Sequence, residues 1–193
     1  MSLPVATAGL GVTIGSPIEA TGPVIFQSSF LPPAEDFLAG SLLIGGLGPT
    51  DIVFPLEGGP GEMHYEIALT ALNAGIEPWT NLWFEWGDGK GDDFVPGGAQ
   101  AVFDDRDPAT FPIDNVDFEQ ITLIGITAAE LSRPVAPLGI GTGLSTTARI
   151  LATFTLDGVA SDYATLRVTT AVPEPQALGA LACILGTLRR RQR

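Results

Sequence analysis

The side chains best suited to hold a metal ion lie between residues 85 and 119, where ten carboxylates face only two basic residues. Ca²⁺ takes about six to eight oxygen ligands, often carboxylates and loop carbonyls. Residues 88–93 read Asp-Gly-Lys-Gly-Asp-Asp, which places acids at the first, fifth and sixth positions of a glycine-rich loop. Asp88, Asp92 and Asp93 are therefore candidate Ca²⁺ ligands, and no other cofactor is predicted. The alternative is a solvated acidic face that keeps the protein soluble.

Three tryptophans, Trp79, Trp83 and Trp86, fall within eight residues of one another. Strand alternation places Trp83 on the face opposite Leu82, Phe84 and Trp86. An exposed tryptophan on a sheet face can stack on a sugar ring, so Trp83 is a candidate ligand-stacking residue. The alternative is that all three indoles belong to the core, where most tryptophan surface is buried.

His64 is the single histidine and so the single candidate imidazole base. It lies on the polar face of a predicted strand beside Glu66, where an ordinary surface histidine is the alternative. The chain contains no Gly-x-Ser-x-Gly nucleophile motif. Glycosidase chemistry needs two carboxylates at a defined separation, and the 22 acidic residues do not single out a pair. No catalytic residue is predicted.

Strands must position these side chains, because apolar residues alternate with period two through much of the body. In the clearest segment, residues 63–72, one face carries Met63, Tyr65, Ile67, Leu69 and Ala71. Similar alternation occupies residues 82–86, 150–156 and 163–169, with Gly, Pro and Asp between the segments. The pattern predicts an all-β fold, an antiparallel β-sandwich of the immunoglobulin or jelly-roll type. Helical signal is thin: residues 127–130 form a capping-box pattern that predicts one short helical turn before Pro134.

Composition excludes several classes of function. The 193-residue chain has a net charge of −13, which excludes a nucleic-acid-binding protein, because contacts with phosphates need clustered Lys and Arg. One cysteine and one histidine exclude an internal disulfide framework and a Cys- or His-rich zinc site. The charge is uneven, because four of the nine basic residues occupy the last five positions. The first 172 residues therefore carry 21 acidic and 5 basic side chains.

The C-terminal tail, residues 172–193, has three parts in order. Pro173, Glu174 and Pro175 come first, and the two prolines favour an extended backbone. An uncharged apolar run at 177–188 follows and predicts a short hydrophobic helix. Its candidate membrane-anchor residues are Ala177, Leu178, Leu181, Ile184, Leu185 and Leu188. A basic cluster ends the tail and would stay on the cytoplasmic side of a membrane; it comprises Arg189, Arg190, Arg191 and Arg193.

This order of motifs resembles the PEP-CTERM sorting signal of bacterial surface and secreted proteins. The resemblance implies that an integral-membrane exosortase recognises Pro173, Glu174 and Pro175 and removes the tail during export. It also implies a body outside the cytoplasm, transient membrane anchoring, and a place at the cell surface or in an exopolysaccharide matrix. Residues 79–96, an aromatic strand followed by a glycine-rich loop, loosely resemble a segment of many proteins with this tail.

Three regions are predicted. Residues 1–19 form an N-terminal segment, interpreted as a truncated or misassigned export-signal region, residues 20–171 form the sandwich, and residues 172–193 form the sorting signal. The favoured function is that of an exported, non-enzymatic surface or matrix protein. The first alternative is a carbohydrate- or Ca²⁺-binding sandwich module with the same delivery, and the second is a secreted hydrolase.

Overall fold

A computed structural model describes residues 12–15, 18–27, 36–98, 100–104, 111–118, 120–132, 140–141, 143–157 and 163–171. Across these residues the chain forms strands and one 3-10 helix, with no α-helix, so the predicted all-β class is confirmed. The predicted C-terminal helix lies outside the described residues. In the part of the chain that the structure covers, no helix is long and apolar enough to cross a membrane.

The strands form two sheets. The first sheet has the order β1-β5-β14-β7-β12-β11, and β2 also pairs with β5 and β8 with β7. Its strands are β1 (Thr13–Ile14), β2 (Glu19–Thr21), β5 (Gly48–Glu57), β7 (Asn81–Asp88), β8 (Val95–Pro96), β11 (Gln120–Ile124), β12 (Ala128–Ser132) and β14 (Tyr163–Ala171). Every pair in this sheet is antiparallel.

The second sheet has the order β10-β13-β6-β4-β3, and β9 also pairs with β13. Its strands are β3 (Val24–Gln27), β4 (Phe37–Ile44), β6 (Gly61–Asn73), β9 (Ala101–Phe103), β10 (Ile113–Asp114) and β13 (Ser145–Leu156). The pair of β4 and β6 is parallel, and the other pairs of this sheet are antiparallel. The mostly antiparallel arrangement agrees with the sequence.

The core lies between the two sheets and follows the predicted alternation. On β6, Tyr65, Ile67 and Leu69 are buried, while the even-numbered residues between them face outward and are only partly covered. On β14, Ala164, Leu166 and Val168 are buried. Because successive strand side chains point to opposite faces, each of these strands supplies one apolar face to the core.

Aromatic rings connect the two sheets at the centre of this core. Phe154 lies 5.4 Å from Trp86, 5.7 Å from Tyr65 and 5.8 Å from Phe54, measured between ring centroids. Trp86 also contacts Phe103 at 6.3 Å. Phe54 and Trp86 belong to the first sheet, and the other three rings belong to the second. Tilted and edge-on aromatic contacts of this kind add to the free energy of burial.

Two local expectations need revision. The predicted helical turn at 127–132 is wrong, because residues 128–132 form β12 between β7 and β11. Ala129 and Leu131 are fully buried there, so pairing and burial outweigh a local capping pattern. The packed body also begins before residue 20, since Val12 and Ile14 of the predicted N-terminal segment belong to the core.

Candidate functional site

The glycine-rich loop that carries the candidate Ca²⁺ ligands joins β7 to β8 in a hairpin. Gly87 pairs with Pro96 and Asp88 with Val95, and residues 91–93 between them form a single 3-10 turn. Gly89 has a φ of +76°, and a Cβ there would collide with the carbonyl oxygen of Asp93. Glycine at this position is therefore a steric requirement of the loop.

An ion pair between the buried Asp51 and the half-buried Arg167 fixes this loop to the first sheet. The Arg167 guanidinium binds both carboxylate oxygens of Asp51, with its Nε 2.7 Å from Oδ1 and an Nη 2.9 Å from Oδ2. The same guanidinium donates to the Gly91 carbonyl at 2.7 Å, and the Gly91 N–H donates to Asp51 Oδ2 at 2.6 Å. It also lies 3.9 Å from the centroid of the Phe94 ring.

The electrostatics of this pair follow from its burial and hydrogen bonds. The Arg167 and Asp51 side chains are 16% and 3% exposed. The hydrogen bond that Arg167 donates to the Asp51 carboxylate raises the pKa of Arg167, although burial opposes the shift. The Arg167 guanidinium therefore stays charged beneath the loop, where it and Asp51 position the loop backbone at Gly91. Sequence reasoning did not find this pair, because Asp51 and Arg167 are 116 positions apart and no local motif joins them.

The structure places the three predicted Ca²⁺ ligands on one loop but does not gather them into a metal-binding cluster. Asp92 and Asp93 are exposed on the 3-10 turn, whereas Asp88 Oδ1 is buried and makes no hydrogen bond to any described residue. No group of three or more His, Cys, Asp or Glu side chains among the described residues could hold a metal ion. Calcium binding stays a prediction.

Trp83 lies where the alternation predicts, on the outer face of the first sheet. Its neighbours across the sheet are Thr169 on β14 and Glu130 on β12. The indole is partly exposed, whereas Trp79 and Trp86 are buried in the core. Glu130 accepts a hydrogen bond from the Asn81 amide at 2.6 Å, so polar groups flank the exposed ring.

His64 lies on the outer face of the second sheet, and both of its ring nitrogens are engaged. Nδ1 is 2.8 Å from the Thr153 hydroxyl and 3.3 Å from an Asp104 oxygen, and Nε2 is 3.1 Å from a Glu62 oxygen. Glu66, its predicted neighbour, instead binds Arg149 through two hydrogen bonds of 2.7 and 2.8 Å. The imidazole thus connects β6 with β13 and with Asp104, the residue that follows β9, and no nucleophile motif accompanies it.

The predicted sorting-signal residues follow β14 in the sequence but lie outside the described part of the chain. Their point of departure is well defined, because the Ala171 carbonyl accepts a hydrogen bond from the Thr80 N–H at 2.9 Å. Beside it, a shallow groove of about 300 Å³ lies between the β4–β5 and β6–β7 loops. Its lining residues are Gly45, Gly46, Leu47, Gly75, Ile76, Glu77 and Trp79.

Comparison with known proteins adds no relative. No protein-family model matches the chain, and no match is found among curated proteins or among solved structures. The fold defines the class as a β-sandwich-like all-β protein.

Proposed function

We propose that this chain is an exported, non-enzymatic cell-surface or extracellular-matrix protein, sorted and processed through its C-terminal tail. The observation that carries the proposal is the tail itself: Pro-Glu-Pro at 173–175, an uncharged apolar run, and four arginines in the last five positions. In this tail the apolar run precedes the arginines, which is the order expected of a membrane segment whose far end stays on the cytoplasmic side.

The position of β14 supports the proposal. β14 is an inner strand that pairs with β5 on one side and β7 on the other, and it is the last strand described. The Pro-Glu-Pro motif begins two residues after it ends at Ala171. Both prolines lack a backbone donor and hold φ near −65°, so this short segment favours the extended form that a protease binds.

The partners that follow are an exosortase, which would recognise and cleave the tail, and the membrane that holds it before cleavage. Exopolysaccharide is the expected matrix component. The test replaces Pro173, Glu174 and Pro175 with alanines in a host that encodes an exosortase. We expect the variant to keep its tail and stay in the membrane fraction, while the parent chain is shortened and released. Equal processing of the two chains would overturn the proposal.

A matched variant separates recognition from topology. Replacing Arg189, Arg190, Arg191 and Arg193 with glutamates leaves the Pro-Glu-Pro motif intact and removes the positive charge that holds the far end inside. We expect less correct processing and weaker membrane retention, measured by immunoblot of cell fractions. Unchanged processing in this variant would show that the arginines are not part of the signal.

A second candidate function is carbohydrate binding at Trp83, favoured by its partly exposed ring beside the Asn81–Glu130 hydrogen bond. An aromatic face with adjacent hydrogen-bonding groups can hold a sugar ring on both its apolar and polar sides. Calorimetric titration with an oligosaccharide panel tests it. Trp83→Ala should abolish any binding and Trp83→Phe should retain part of it, whereas no binding by the parent chain would remove this candidate.

A further inference from the structure

The sandwich has two unlike ends. We name the end where the tail departs the tail pole: it comprises Ala171 and the described loop residues 21–23, 45–47, 74–80, 115–118, 140–141 and 143–144. Hydrogen bonds join these loops, including Gly45 N–H to the Pro23 carbonyl and Thr80 N–H to the Ala171 carbonyl. The opposite end, which we name the acidic pole, comprises the described residues 57–62, 88, 94–98, 124–128 and 156–157. Residues 89–93 are not part of it, because they fold over the outer face of the first sheet, where the Gly91 N–H donates to Asp51.

Charge differs between the poles. Among the described residues of the tail pole, the charged side chains are Glu77 and Asp117. The charged side chains of the acidic pole, counted over its described residues, are Glu57, Glu62, Asp88 and Asp157. An anionic surface would therefore repel the acidic pole more strongly than the tail pole.

Both poles expose apolar side chains, those of the acidic pole being Val95, Ile124 and Ile126, but the two most exposed lie at the loop tips of the tail pole. Ile76 is 93% exposed and Val116 91% exposed, and Leu47 and Leu144 are about half exposed. Leu47 and Ile76 line the groove beside the departing chain. Apolar tips on adjacent loops, with little charge among them, suit insertion into the boundary between lipid headgroups and acyl chains.

The length of the tail limits how far this pole can be from a membrane. Residues 172–176 separate Ala171 from the apolar run, and five extended residues span at most about 17 Å. If the apolar run enters the bilayer, the tail pole is held next to the bilayer surface. The run is then in lipid and cannot fold back onto the groove. The lipid surface, and not the chain's own tail, is therefore the expected contact of the tail pole.

We infer that the tail pole is a membrane-contacting surface, with Ile76 and Leu47 at the lipid interface and the acidic pole directed away. This inference rests on the proposed function, because it needs the tail to enter a membrane. Its consequence is orientational: a body seated on its tail pole would hold Pro173, Glu174 and Pro175 at the bilayer surface, within reach of a membrane-embedded protease.

The test uses the full chain with Cys183→Ser, so that one introduced cysteine carries an environment-sensitive fluorophore. Ile76→Cys places the label at the tail pole, and Val95→Cys is the matched control, because Val95 is a 63% exposed apolar residue at the acidic pole. Each labelled chain is mixed with vesicles of phosphatidylcholine and phosphatidylglycerol and recovered by flotation. We expect both chains to float, with a blue shift of emission at position 76 and no shift at position 95.

The other outcomes separate the two proposals. Flotation with no shift at position 76, or with equal shifts at both positions, overturns the membrane-contacting surface and leaves the membrane tail standing. Failure of both chains to float overturns the membrane tail and the surface together. A blue shift at position 76 without vesicles, lost when residues 177–193 are deleted, would mean that the groove binds the chain's own tail, which also overturns the inference.

Discussion

Two arginine–carboxylate pairs in this protein share the same bidentate geometry and differ in burial. Asp51 and Arg167 are 3% and 16% exposed, whereas Glu66 and Arg149 are 32% and 58% exposed. Hydrogen bonding to the partner carboxylate raises the pKa of both arginines. Their geometry alone would predict equal contributions to stability, but water screens the exposed pair more, so the Asp51–Arg167 pair should contribute more.

The first prediction compares these pairs by equilibrium unfolding. Asp51→Ala should lower the free energy of unfolding by about 3 kcal/mol, because it leaves the largely covered Arg167 charge without its partner. Glu66→Ala should cost far less, since water replaces the lost partner of an exposed arginine. The measurement is the denaturant midpoint of each variant at constant slope. Equal losses from the two substitutions would contradict a structural role for burial here.

The glycine-rich loop provides the second prediction. If Asp88, Asp92 and Asp93 bind Ca²⁺, millimolar Ca²⁺ should raise the melting temperature, because a ligand at roughly 100 times its Kd stabilises the native state by about 2.7 kcal/mol. Asp92→Ala should remove that rise, and Asp114→Ala, an exposed acid on another strand, should not. A melting temperature unchanged by Ca²⁺ would favour the solvated acidic face.

β14 provides the third prediction, since it is hydrogen-bonded on both sides and buries Ala164, Leu166 and Val168. A chain that ends after Ala171 should unfold cooperatively at nearly the parent melting temperature. A chain that also lacks residues 163–171 should lose its cooperative transition, because β5 and β7 would each lose a partner. Circular dichroism on heating measures both, and cooperative unfolding of the shorter chain would contradict the central position of β14.

The strands with the clearest alternation were predictable from the sequence. In β6 and β14 the period-two pattern predicted both the strand and its core face, because apolar side chains on one face of each strand alternate with mostly polar side chains on the other. β12 was not predictable, because a five-residue strand that buries only Ala129 and Leu131 carries a weaker signal than a capping pattern. The parallel pairing of β4 with β6 was also not predictable, because it arises from the connection through β5 of the other sheet, and a local residue pattern does not encode strand direction.

The features of the candidate sites also fall into those that could be predicted from the sequence and those that could not. The outward position of Trp83 followed from alternation, since it needs only the strand and its phase. The Asp51–Arg167 pair beneath the loop did not, because it joins two strands far apart in sequence through the sheet order. The uneven charge of the two poles also needed the fold, because its residues come from loops spread along the whole chain.

The molecule as a whole combines an acidic sandwich with a tail of opposite character. The first 172 residues carry 21 acidic and 5 basic side chains, and the last five carry four arginines. β14 ends at the tail pole, which carries fewer charged side chains among the described residues than the acidic pole. In the sequence, an apolar run separates the acidic body from the basic cluster. This arrangement matches a protein whose body is outside a membrane while its terminus is held inside.

The most direct measurement is the C-terminal mass of the protein recovered from its own host after cell fractionation. We expect the mature protein in the extracellular or surface fraction, with a mass lower than that of the full chain by the residues that follow the Pro-Glu-Pro motif. Recovery of a soluble cytoplasmic protein that still ends at Arg193 would contradict the proposed export and processing.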